Sequence, residues 1–232
     1  MPLIRYTLLG ALAASLATAA CGASDGARAR GTTSTAATHA PAARDSTPRD
    51  TALLRRADHA RIEGSASAPL WVVEVSDFQC PYCRQWHEET YPAVKREYVD
   101  AGKIRLAYIN FPIPGHRNAW PAAEAAMCAA AQDKFWPMHD GLFATQRQWE
   151  GMPDPSPVFD SLATAAGVQA APYHQCLSSH ATRPLIQADV DRATESGVNS
   201  TPSFIIGDKM IRGAEPVDVF RRAIDEALRS AK

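Results

Sequence analysis

Leu70-Trp-Val-Val-Glu74-Val-Ser-Asp-Phe-Gln-Cys80-Pro-Tyr-Cys83 is the stretch that decides how this chain is read. Leu70 to Val75 is a short β-rich apolar run bounded by Pro69 and by Ser76-Asp77, the pattern of a buried strand. From Pro81 to about Asp100 the residues favour helix, and Pro92 inside that span predicts a kink. Ile104 to Phe111 reads as a second strand. Two strands joined by one helix make a βαβ unit with a parallel pair, since a parallel return needs a crossover of that length. The Cys80-Pro81-Tyr82-Cys83 motif then falls between strand end and helix start.

Toward the C-terminus, Asn118 to roughly Ala193 reads as several helices broken at Pro137, at the Met152–Pro157 turn, at Gly167 and at Pro184. Ser203 to Ile206, a Gly207-Asp208 turn and Lys209 to Arg212 make a hairpin. Pro216 opens a last helix to Ser230, apolar at Val217, Phe220, Ile224 and Leu228. The order is βαβ, helical insert, ββα. Boundaries are placed at 59–115 for the first half, 116–196 for the insert and 197–232 for the second half.

Toward the N-terminus the character changes. Residues 1–20 read as an export signal: Arg5 is the positive segment, and Thr7 to Ala20 is uncharged, Leu/Ala-rich and too short to span a bilayer comfortably. Thr18-Ala19-Ala20-Cys21 resembles a bacterial lipoprotein box, in which the Cys becomes the lipidated first residue. Thr18 stands where Leu is usual, so a plain signal-peptidase cut near Ala19 is the rival. Residues 21–58 are dominated by Ala, Thr, Ser, Gly, Arg and Pro, a composition that cannot bury enough surface to offset chain entropy. They are read as a disordered tether with a reach of roughly 35 Å. Export implies a compartment where disulfides persist.

Charge sharpens the division. Gly22 to Arg61 carries seven Arg and four Asp, whereas the chain from Ile62 onward carries sixteen Lys+Arg against twenty-one Asp+Glu. A net charge of −1 argues against a nucleic-acid binder, which needs a basic face. The basic leader suits an anionic membrane surface.

The chemistry starts from Cys80. A helix N-terminus offers free N–H groups and the positive end of the dipole, which favour a thiolate there. The two-residue spacer puts Cys83 one turn later, near enough to close or resolve a disulfide. An inert disulfide or a zinc site is the bland alternative. His87 extends a Cys-x2-Cys-x3-His series, but no further Cys or His pair has ligand spacing, so no metal is assigned. The expectation is a redox pair that needs no cofactor.

Four segments carry a resemblance: Glu74-Val-Ser-Asp-Phe-Gln-Cys80-Pro-Tyr-Cys83, Phe111-Pro-Ile-Pro-Gly-His116, Lys134-Phe-Trp-Pro-Met-His139-Asp and Thr201-Pro-Ser-Phe204. Together they resemble the DsbA-like thiol–disulfide oxidoreductases, from about Ala60 to the C-terminus. The resemblance implies a thioredoxin fold, an α/β architecture with a helical domain inserted between its βαβ and ββα halves. It implies that Thr201-Pro202 forms a cis-proline loop facing the sulfurs, seating a polypeptide together with Pro81 and Tyr82. An ordinary turn before a strand is the alternative. It also implies that Glu74 lies beneath the disulfide and relays protons to Cys83, against a solvent-facing Glu on an edge strand. Tyr82 stands where the best-known members carry His, so the most extreme oxidising potential is not expected. His116 is read as a loop residue, His139 as helix packing, and Trp86 and Trp136 as core.

Setting aside Cys21 and the redox pair leaves Cys128 and Cys176, both in the insert. In an oxidising compartment a bridge between them is expected, with two buried thiols as the alternative. The resulting expectation is an exported, membrane-tethered enzyme of the periplasm or cell envelope that introduces disulfides. Its partners are unfolded or reduced exported polypeptides, a membrane redox protein that resets the pair, and the membrane through a lipid anchor at Cys21. A reductase or isomerase using the same site, and a non-catalytic binding lipoprotein, are the alternatives.

Overall fold

The computed structural model describes residues 48–230. The signal segment, Cys21 and the tether up to residue 47 lie outside the described residues.

Among the described residues five strands form one sheet in the order β1-β3-β2-β4-β5. The strands are β1 (Ile62–Glu63), β2 (Leu70–Ser76), β3 (Ile104–Asn110), β4 (Ser203–Ile206) and β5 (Lys209–Arg212). β2 runs parallel to β3, Leu70 opposite Ile104 and Ser76 opposite Asn110, and antiparallel to β4, Glu74 opposite Phe204. β2 is therefore a central strand. Its near-continuous apolar run follows from burial on both faces.

Side-chain alternation divides the sheet. Val72, Leu106, Phe204 and Ile206 pack against Trp86 of α2 (Pro81–Glu89), Val94 of α3 (Tyr91–Val94) and Phe220 and Ile224 of α10 (Val217–Ser230). On the opposite face Val73, Val75 and Ile109 meet Ala193 of α9 (Arg183–Glu195). A π-helical turn, Lys95–Val99, completes the crossover after α3. The remaining helices are α4 (Ala119–Ala130), α5 (Phe135–Ala144), α6 (Gln146–Trp149), α7 (Ser156–Ala165) and α8 (Ala170–Ser178). The insert gathers around α4, whose Ala122, Ala125, Ala126, Met127 and Ala129 have no exposed surface. Small side chains along a helix let neighbours approach closely, which explains the alanine run. That core continues into Phe78, Cys80, Cys83 and Tyr108, so the cysteine motif sits on the seam between insert and sheet.

Three expectations are corrected. The tether does not reach residue 58: a helix, α1 (Pro48–Ala60), occupies its end. Leu53, Leu54 and Ala57 recur at helical spacing, and Ala57 is fully buried in the insert's core. Arg61 follows it, ion-paired with Asp58 and with buried Asp189 of α9. Second, Pro137 and Pro184 do not break helices but lie in the first turns of α5 and α9, as Pro92 does in α3. A first-turn residue has no N–H to contribute to the ladder, so proline is tolerated there. The break before α5 comes instead at Asp133, which has a φ of 60°. Third, β1 was not foreseen. It pairs antiparallel with β3 at the sheet edge, Ile62 opposite Ala107. Gly64 makes the turn away at φ +103°, where a Cβ would lie 2.5 Å from the Ile104 carbonyl oxygen.

Candidate active site

The segment Asp77-Phe78-Gln79 carries the chain from β2 to Cys80, the N-cap of α2, with Pro81 in the first turn. Its course is set by side chains far away in sequence. The buried Asp77 carboxylate accepts from the Gln79 amide (2.8 Å), the Ile113 amide (3.0 Å) and His116 Nδ1 (2.7 Å). Gln146 of α6 donates Nε2 to the Phe78 carbonyl (2.7 Å) and the Cys80 carbonyl (2.9 Å). Gln79 Nε2 donates to the Glu150 carbonyl (2.9 Å), and its Oε1 accepts from the Asn118 amide (2.7 Å). The loop is thus strapped to the insert on both sides.

The two sulfurs are unequal. Cys83 is completely buried, whereas Cys80 keeps 3% of its surface. Cys80 Sγ lies 3.5 Å from the Thr201 carbonyl oxygen, and the Asp77 amide points at Cys83 Sγ over 3.5 Å. The Cys80 pKa falls to about 6 because the Cys83 thiol donates to it, aided by Thr201 and by the Cys83 and Tyr82 amides, against burial. Cys83 goes the other way: burial raises it well above its ordinary value, and its interaction with Cys80 raises it further. The proton the pair shares at neutral pH therefore belongs on the inner sulfur.

A polar group interrupts this otherwise apolar face of the sheet. Glu74, Ser76 and Tyr108 point to the same side of the sheet, Glu74 directly opposite Tyr108 across β2 and β3. All are buried, and neither oxygen of Glu74, nor Ser76 Oγ, nor Tyr108 OH makes a hydrogen bond to protein. Burial pushes Glu74 up to about 8, partly offset by the Ser76 hydroxyl. Burial likewise drives Tyr108 well up, and Glu74 and Cys83 add to the rise. The Ser76 hydroxyl lowers Glu74, Cys83 and Tyr108 alike.

The other singled-out residues fall as follows. The Thr201-Pro202 peptide is cis and leads into β4. Pro81 and Tyr82 are exposed, Tyr82 by 62%, and Tyr82, Gln85, Thr201, Arg212 and Glu215 line a shallow groove beside Cys80. Cys128 and Cys176 are bonded to each other, with Cα atoms 5.7 Å apart, joining α4 to α8. His139 and Trp86 are buried, Trp136 is half-buried, and His116 lies in the loop before α4. His87 turns away from the cysteines to meet His139 and Asp140. Ser76, Asp77, Tyr108 and Gln146 were not singled out from the sequence. Ser76 and Asp77 were visible only as a strand terminator, and nothing local marks Gln146.

A family model described as thioredoxin matches residues 56–226. The chain belongs to that family. It is a DsbA-like thiol–disulfide oxidoreductase of thioredoxin fold. Over 170 residues it is 31% identical to a probable disulfide bond formation protein D of Bacillus anthracis, covering 72% of this chain and 77% of that protein. It is also 32% identical to the Na(+)/H(+) antiporter NhaA 3 of Salinispora tropica over 176 residues, 75% of this chain. That match spans only 26% of the antiporter's length. Among solved structures, oxidised BdbD from Bacillus subtilis superposes with a TM-score of 0.67 at 23% identity, over 73% of this chain and 92% of that one. In this DsbA-like chain, α2 and the loop before β4 flank the sulfurs.

Proposed function

We propose that this oxidoreductase runs in the oxidising direction, donating the Cys80–Cys83 disulfide to reduced polypeptides in the cell envelope. The observation that carries this reading is the asymmetry of the pair: Cys80 is lowered to about 6 while Cys83 is held high. A stabilised Cys80 thiolate lowers the free energy of the reduced form, so giving the disulfide away is favourable.

The exchange proceeds in two displacements. A substrate thiolate attacks Cys80 Sγ, forming a mixed disulfide and expelling Cys83 as a thiolate. Cys83 is buried and poorly solvated, so it must take a proton, and Glu74, neutral below about 8, holds one beneath it. A second substrate thiolate attacks the substrate sulfur of the mixed disulfide. Cys80 leaves readily because its pKa is low, and the substrate gains its disulfide while two electrons stay on the pair. An oxidising membrane partner takes those electrons, Cys80 acting as the nucleophile in that exchange. Thr201-Pro202, beside Cys80, and the exposed Pro81 and Tyr82 form the seat for an extended polypeptide. The signal at 1–20 supports export, and the Ala19-Ala20-Cys21 junction supports a lipid anchor.

Oxidised protein mixed with a reduced, unfolded multi-disulfide substrate should generate native bridges, whereas Cys83→Ala should not; offered a disulfide-bearing substrate instead, its Cys80 thiolate should attack the bridge, expel one substrate thiolate and accumulate as a mixed disulfide. A pair potential near about −270 mV, that of thioredoxin, moves the assignment to a reductase.

A further inference from the structure

Away from the sulfurs, α2 and α5 bring three metal-type donors together. His87, in the last turn of α2, is stacked on Tyr91 at 5.2 Å and on Phe143 at 5.1 Å between ring centroids. His139 of α5 is completely buried, its ring 5.0 Å from that of His87 and nearly perpendicular to it. Asp140, the next residue, remains half-exposed, and its Oδ1 lies 2.8 Å from His139 Nδ1 and 4.0 Å from His87 Nε2. One ligand atom from each of the three lies within 4.8 Å of the others.

We propose that His87, His139 and Asp140 form a binding site for a zinc-class divalent cation, which clasps the cysteine-bearing helix α2 to helix α5 of the insert. Two imidazoles and one carboxylate are a donor set suited to Zn2+, whereas Ca2+ and Mg2+ take oxygen ligands. Zinc bonds of about 2.0–2.1 Å in tetrahedral geometry set ligand atoms about 3.3 Å apart. The spacings here bracket that value, so side-chain rotation suffices. The fourth position opens on the side where Asp140 meets solvent, leaving room for water.

Packing alone does not account for these rings. His87 Nδ1 and His139 Nε2 are buried without a protein partner, which is unfavourable for rings that only fill space. Phenylalanine would fill the same space among Phe78, Phe135, Tyr91 and Phe143 without that penalty. A cation held by His87 Nε2 and His139 Nδ1, the nitrogens that face Asp140, adds its binding free energy to the folded state alone, because the donors come together only when α2 packs on α5. Lys95, which also acts on Asp140, is held away by Glu63 (2.6 Å) and Asp100 (3.1 Å).

The test uses the protein with Cys80–Cys83 closed as a disulfide, so that no thiolate competes. Titration with Zn2+ should show one saturable equivalent and a raised unfolding midpoint, and Co2+ should develop the visible absorption of a tetrahedral site. His87→Phe keeps the ring stack, and Asp140→Asn keeps a half-exposed side chain of the same shape. Each should weaken Zn2+ binding at least about tenfold and abolish the Co2+ bands. No saturable Zn2+ binding by the oxidised wild type overturns the site. So does binding unchanged in both variants, which would assign the ion to surface histidines such as His174 or His180.

Discussion

Replacing Glu74 by Gln keeps the shape of the side chain and removes only its ability to ionise. In the folded protein Glu74 titrates at about 8, because burial strips the carboxylate of solvent, against an ordinary value of 4.5. Between those values the native chain holds a proton at this site that the unfolded chain has lost. Stability then falls by about 1.4 kcal/mol per pH unit as pH rises. The contribution is fully present below pH 4.5, declines across the window and is lost once pH passes the folded pKa near 8. At pH 7 the accumulated loss is on the order of 3 kcal/mol, a large share of a typical domain's 5–15 kcal/mol. Denaturant unfolding of the reduced protein at intervals from pH 4 to 9 reads this directly. The wild-type and Glu74→Gln curves should run close together in acid and separate toward neutrality, the variant being more stable. The same variant should slow turnover, most visibly near neutral pH, since the inner thiolate loses its proton source. Parallel stability curves would refute the buried, protonated carboxyl and with it the relay.

Cys80 should titrate near 6 by thiolate absorbance, and Cys83→Ala should raise that value by about one unit, since the inner thiol is its largest stabilising contact. An unchanged value would place the stabilisation in the helix N-terminus alone. Gln146→Ala frees the buried Phe78 and Cys80 carbonyls and should destabilise by about 1–3 kcal/mol, with a wider spread of conformations at the motif in amide exchange. Stability within 0.5 kcal/mol of wild type, roughly the scatter of surface substitutions, would remove Gln146 as a strap. Removing Cys128–Cys176 opens a loop with a sequence separation of 48, a loss of about 4 kcal/mol on chain-entropy grounds. Recovery of both as free thiols from native protein would refute the bridge. Fatty-acid labelling should mark the wild type and spare Cys21→Ser, and an unmodified N-terminus after Ala19 would refute the anchor.

The site divides into parts that can be read along the chain and parts that cannot. Cys80 and Cys83 stand one helical turn apart because of their spacing, and Pro81 is compatible with a first turn wherever it occurs. Glu74 is legible as an acidic residue in a strand, but period-two alternation only assigns it a face. Whether that face meets solvent or core depends on what covers the strand. Here β4 and β3 flank it, and α2 closes over it.

The sequence by itself determined the succession of βαβ, helical and ββα segments and the position of the thiol pair, and the thioredoxin-like class came from the resemblance of four segments to a known family. The succession and the pair's position follow from periodicity, turn residues and motif spacing, all set by near neighbours in the chain. Tertiary structure alone decided that Pro48–Ala60 is a helix on the insert and that β1 caps the sheet. It also decided that Ser76 joins Glu74, Tyr108 and Cys83, and that Gln146 holds the loop from 66 residues away. A short amphipathic run or a lone polar side chain gains its partner only when distant elements stack, because burial removes water as the competing partner.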